Sequence, residues 1–110
     1  MLRIGSVVMT VSDVDRAASF WRSALGYVSD PTNPSFLRPE RDGLPRLHLD
    51  ETDRMHLDLW AADRDEQTAE VERLVSLGAR RVEWEYPDDA DFVVLADPDG
   101  NLFCVIDASR

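Results

Sequence analysis

At 110 residues, with 44% hydrophobic and 31% charged side chains, the chain is long enough for one domain with a real core and too short for two independent ones. That balance excludes a disordered or membrane-embedded class, and no apolar run approaches the roughly 20 residues of a membrane span. A formal charge of -10 argues against an electrostatic grip on nucleic acid or anionic lipid, so neither is expected as a partner and the acidic surface reads as a solubility device.

The chain opens with MLRIGSVVMTVSD, which lacks the charged, apolar, small-residue order of a signal peptide, and a cytoplasmic location is expected. Within it RIGSVVMTV is strand-like. Ser12 and Asp15 stand in the S-x-x-D spacing of a capping box, and a helix over about 13–25 follows with Val14, Ala17, Ala18, Trp21 and Leu25 on one face. Gly26 ends it as a glycine after the last turn does. YVSD, SFLRPE and PRLHLDE read as short strands separated by Pro, Asn, Asp and Gly turn signals.

A second round begins at RMHLDLWA and enters a helix over about 64–77 near Asp63, with Glu66 three residues on and Thr68, Val71, Leu74 and Val75 on one face before Gly78. RRVEWEY, DFVVLAD and LFCVID complete it as strands. The only cysteine, Cys104, lies in the last of these; it allows no intramolecular disulfide, which fits a reducing compartment.

The order βαβββ thus occurs twice, in modules of about 1–51 and 52–110 within a single α+β domain. The halves register at an offset of about 50 residues: Ser6 falls on His56, Val7 on Leu57, Met9 on Leu59, Asp13 on Asp63 and Asp15 on Asp65. The DG pairs at Asp42–Gly43 and Asp99–Gly100 each precede the last strand of their half. Such a repeat suggests duplication of a unit that cannot bury its apolar face alone.

The tandem order, the segment VSDVDRAASFWRSALGY after the first strand, RMHLDLW opening the second half and DPDGNLFCVI near the end resemble the vicinal oxygen chelate superfamily, in its small glyoxalase-like branch. The resemblance spans nearly the whole chain. It implies two modules whose curved sheets form a half-open barrel, a small organic ligand or a divalent metal in the trough, and frequent homodimerisation. The superfamily includes glyoxalase I, extradiol dioxygenases, methylmalonyl-CoA epimerase, fosfomycin-modifying enzymes and bleomycin-binding proteins that catalyse nothing, so fold constrains function only loosely.

Metalloenzymes of the superfamily draw ligands from the first, fourth, fifth and eighth strands, usually His, Gln or Glu. Carried onto this sequence, those positions are Ser6, His48, His56 and Cys104. His56 stands seven residues before Asp63, as a family ligand does before its helix, and Cys104 takes the place of the glutamate in the family's D-P-D-G-x-x-x-E ending. His48 rests on aligning DGLPRLHLD with DGNLFCVID, which needs one inserted residue. Strand parity points His56, Asp58 and Trp60 one way and Met55, Leu57 and Leu59 toward the helix. Ser6, Val8 and Thr10, and likewise Leu102, Cys104 and Ile106, face the trough.

Two histidines, a thiol and a serine hydroxyl make an incomplete set for extradiol or metal-dependent glyoxalase I chemistry, because the glutamate ligand is missing and the first-strand histidine of the family is Ser6 here. No cofactor or metal is expected; were a divalent ion such as Zn2+ bound, His48, His56 and Cys104 would be its candidates. His56 and Asp58 are the candidate catalytic residues, with Asp58 polarising the imidazole or acting as a base, or alternatively forming a salt bridge with Arg46 or Arg54. Ser6, His48, Trp60 and Cys104 are candidate ligand-binding residues. Trp60, Trp84 and Phe36 either line an aromatic trough or are core. No nucleotide-binding loop or serine-hydrolase elbow occurs. The expected function is binding of a small organic ligand in the trough, and the residues leave open whether it is turned over: one reading is a lyase or isomerase using His56, the alternative a non-catalytic drug-binding protein of the bleomycin-resistance type.

Overall fold

A computed structural model describes residues 1–110. The chain forms two compact units, Gly5–Met55 and Met1–Ile4 together with His56–Arg110.

The first unit carries β1 (Arg3–Thr10, entering from the other unit), α1 (Val14–Leu25), β2 (Val28–Asp30), β3 (Asn33–Arg38) and β4 (Arg46–Asp50). Its strands lie in the order β2-β3-β4-β1, with β1 parallel to β4 and the other pairs antiparallel. Val14, Ala17, Ala18 and Trp21 of α1 pack with Val7, Met9, Val11, Leu37, Leu47 and Leu49, so β1 alternation and the helical period meet at one core. Leu25, expected on the same face, is exposed, because the last turn runs past that core. The cap also sits one residue later than the S-x-x-D spacing predicts. Asp13, in extended backbone, accepts from the Arg16 N–H at 3.1 Å, while the Ser12 hydroxyl accepts from the Arg16 guanidinium at 2.6 Å. Gly26 closes the helix in the left-handed region at φ 72, its N–H donating to Arg22 O.

The second unit repeats the plan with β5 (His56–Ala61), α2 (Arg64–Ser76), β6 (Arg80–Arg81), β7 (Phe92–Ala96) and β8 (Leu102–Asp107). The order is β5-β8-β7-β6, with β5 parallel to β8. Asp63 caps α2 by accepting from the Glu66 N–H at 2.8 Å, and Glu66 reaches back to the Ala62 N–H at 2.9 Å. The buried face of α2 differs from the expected one. Gln67, Glu70, Val71 and Leu74 turn inward, while Thr68 and Val75 are exposed. The inward stripe keeps the i, i+3, i+4, i+7 spacing, but two of its members are polar and are held there by partners. Gln67 Nε2 donates to the carbonyls of Asp91 and Val105, both at 2.9 Å. Glu70 pairs with Arg73 and lies 3.9 Å from the N-terminal ammonium. Leu2 packs against the core of this unit, and the ammonium lies 3.2 Å from Glu66, so the first four residues belong with the second half rather than with a module beginning at residue 1.

Two expected strand features change. RRVEWEY pairs with β7 only at Arg80 and Arg81; beyond them the chain leaves the edge, Trp84 is exposed, and Pro87 could offer no ladder donor. The Tyr86 hydroxyl takes over as acceptor for the Val94 N–H at 2.8 Å. Met55 and Leu57, expected against α2, are exposed: Met55 precedes the first paired residue of β5, and Leu57 forms the first pair at the open end of the ladder. The core is supplied instead by Val93, Leu95, Phe103 and Val105. No helix is long and apolar enough to cross a membrane.

Candidate functional site

The turn before β8 sets the position of Cys104. Asp97 Oδ1 accepts from the N–H groups of Asp99 and Asn101 at 3.0 and 2.8 Å, and Asp97 Oδ2 accepts from Asn101 Nδ2 at 3.0 Å. The Asn101 side chain, followed by the backbone donors, holds the Asp97 carboxyl below the usual range. Gly100 supplies the positive φ of 88 that closes the turn. The DPDGN segment is thus a self-bonded loop that launches β8 in fixed register. That register pairs Asp58 with Cys104, Leu59 with Val105 and Trp60 with Ile106.

Phe103 and Val105 pack against Val71, so their neighbour Cys104 occupies the face away from α2, as do His56, Asp58 and Trp60. On that face the donor atoms of His56, Asp58 and Cys104 all lie within 4.8 Å of one another. His56 Nε2 is 3.3 Å from Asp58 Oδ1, and the two side chains are 11% and 15% exposed. Trp60, farther along the same face, carries the Arg3 guanidinium 4.9 Å from its ring centroid.

Ser6 and His48 lie in the unit Gly5–Met55 and have partners there. Ser6 is fully buried, and its hydroxyl accepts from Arg46 Nε at 3.3 Å. A guanidinium on that oxygen opposes placing a metal cation at Ser6. The Arg46 guanidinium also lies 4.5 Å from the Phe36 ring centroid, and Phe36 stacks on His48 at 4.1 Å with 15° between planes. His48 Nε2 stands 3.9 Å from Asp50 Oδ2, a carboxylate held below its usual pKa chiefly by the backbone N–H groups of Thr52 and Asp53. In this unit Val8 pairs with His48, and in the other Asp58 pairs with Cys104. Since Val8 and Asp58 are equivalent at the repeat offset, the ladders make His48 and Cys104 equivalent, with the inserted residue lying ahead of β4.

The donors that come together are therefore His56, Cys104 and Asp58, with Asp58 joining a set in which only His48, His56 and Cys104 were expected. Arg46 was not read as a partner of Ser6, although its place two residues before His48 put it on that strand face. Imidazole nitrogen, carboxylate oxygen and thiolate sulfur suit Zn2+, which takes N, S and O ligands, and do not suit the hard oxygen-seeking ions. His56, Asp58 and Cys104 would hold it and leave a fourth position open.

The model of the glyoxalase-like domain family matches residues 6–106. Among solved structures, the chain is similar to an NAD-dependent benzaldehyde dehydrogenase from Legionella pneumophila at 15% identity and TM-score 0.66, over 92% of this chain and 96% of that one. It is similar to a catechol 2,3-dioxygenase at 24% identity and TM-score 0.60, over 94% of this chain but 38% of that longer one. It is also similar to methylmalonyl-CoA epimerase from Mycobacterium tuberculosis at 18% identity and TM-score 0.57, over 94% of this chain and 85% of that one. At these identities the likeness is one of fold, and the three named activities differ. No curated protein sequence matches significantly. With tandem βαβββ units and a family match over nearly its whole length, the chain belongs to the glyoxalase-like domain family of the vicinal oxygen chelate superfamily.

Proposed function

We propose that the protein is a lyase or isomerase acting on a small carbonyl compound with an acidic hydrogen on the carbon beside the carbonyl, and that His56 and Asp58 are its acid–base pair. The observation that carries the proposal is the 3.3 Å approach of Asp58 Oδ1 to His56 Nε2 beside Cys104 on one partly buried strand face. A carboxylate at Nε2 favours the tautomer with its proton there and puts the lone pair on Nδ1. Nδ1 takes the proton from carbon; the imidazolium so formed is stabilised by the Asp58 carboxylate. In an isomerase Nδ1 returns that proton to carbon, and in a lyase it goes to the departing group. The Cys104 thiol lines the place where the substrate sits. A Zn2+ ion held by the three donors would engage the His56 lone pair, so it would supply Lewis-acid polarisation of the substrate carbonyl in place of proton abstraction by His56.

The test is hydrogen–deuterium exchange at carbon, followed by proton NMR in D2O, over a panel of 2-oxo acids, hydroxyketones and hemithioacetals, with and without added Zn2+. Exchange above the buffer rate that is lost in His56→Gln supports the reading; none with any compound overturns it. Compounds that bind without exchanging would favour the non-catalytic binder instead. Homodimerisation belongs to the same proposal, supported by family habit, and a monomer in sedimentation at micromolar concentration removes it.

A further inference from the structure

Where the chain leaves the edge of β7, it opens a cleft of about 460 Å3 lined by, among others, Arg64, Arg81, Tyr86, Asp88, Phe92 and Val94. None of His56, Asp58 and Cys104 lines it. Its size is within the roughly 300–1,000 Å3 of small-molecule sites. One wall is aromatic and preorganised: the Tyr86 and Phe92 ring centroids are 5.5 Å apart at 52°, and the Tyr86 hydroxyl is anchored on the Val94 N–H. Val82, Pro87 and Ala90 extend the apolar lining.

The charge of the cleft runs against that of the protein. In a chain of net charge -10, two guanidinium groups line one small cleft, against a single lining carboxylate, that of Asp88. Neither Arg64 nor Arg81 stands in a close ion pair with a carboxylate, although the Arg64 charge contributes to holding the Asp107 carboxyl below its ordinary value. Guanidinium groups bind carboxylates through paired N–H donors, and beside an apolar wall such contacts gain strength from partial exclusion of water. The short β6 creates the arrangement: by ending at Arg81, it leaves that side chain at the mouth and frees the following segment to form the wall.

We infer that this cleft is a second binding site, for a small planar organic carboxylate whose ring lies against Tyr86 and Phe92 and whose carboxylate is taken by Arg64 and Arg81. The site stands independently of the acid–base reading of His56 and Asp58.

The experiment is a titration of the full chain with indole-3-acetate, followed by 15N–1H NMR, with the neutral indole-3-acetamide as the matched control. Expected are saturable shifts centred on the amides of Ala90, Phe92 and Val94, and binding at least about tenfold weaker for the amide. The double substitution Arg64→Gln, Arg81→Gln should weaken indole-3-acetate by a similar factor; both side chains are exposed, and a preserved spectrum confirms the fold. No saturable shift at millimolar ligand, equal binding of the amide, unchanged affinity in the double variant, or shifts centred on His56 and Cys104 would each overturn the assignment.

Discussion

His56 and Asp58 stand two residues apart on β5, and the strand's alternation brings the imidazole Nε2 within 3.3 Å of the carboxylate. The pairing is local in sequence, but what makes it a site is Cys104, delivered opposite Asp58 by the parallel β5–β8 ladder. Asp58→Asn keeps the shape and removes the charge that stabilises an imidazolium. It is expected to slow carbon-acid exchange by about a hundredfold, with His56→Gln reducing it to the buffer rate, both read by NMR.

The same three donors predict a zinc response. The protein should take up one Zn2+ in competition with a chromophoric chelator, and Cys104→Ser and Asp58→Asn should each weaken it by about tenfold or more. His48→Gln should leave the affinity unchanged. A loss equal to that of Cys104→Ser would move the metal to a set that draws on His48.

Gln67 is a buried polar side chain whose amide bridges two backbone carbonyls, those of Asp91 and Val105. Asp91 O also accepts from the Asp107 N–H, so the Gln67 amide ties α2 to both β8 and the chain entering β7. Gln67→Ala should destabilise the protein by about 1–3 kcal/mol, measured as a lower urea midpoint at unchanged slope.

Asp107 is 2% exposed, and the Ser109 hydroxyl, then its N–H and the charges of Arg110 and Arg64, hold its carboxyl below the ordinary value of 3.8. A depressed folded-state pKa means that the carboxylate stabilises the fold above pH 3.8 and loses that contribution as pH falls through the lower folded value. The stability difference between the wild type and Asp107→Asn, measured by urea denaturation across pH, should therefore be full at neutral pH and shrink below pH 3.8.

Features set by neighbours along the chain were legible before any coordinates. Gly26, Asp63 with Glu66, and the alternation in β1, β5 and β8 depend on backbone geometry and on spacings of a few residues. They placed both helices within a residue or two and put His56, Asp58 and Cys104 on the face away from α2. What depends on burial between distant segments was decided only by the tertiary structure. Gln67 and Glu70 turn inward in place of Thr68 and Val75 because the Asp91 and Val105 carbonyls, Arg73 and the N-terminal ammonium await them. Residues 82–87 leave β7 although their composition suits a strand, because ladder pairing is a property of two segments and Tyr86 offers Val94 another acceptor. Asp58 becomes a third donor for the same reason: alternation fixes which way it points, but only cross-strand register fixes which sulfur it meets.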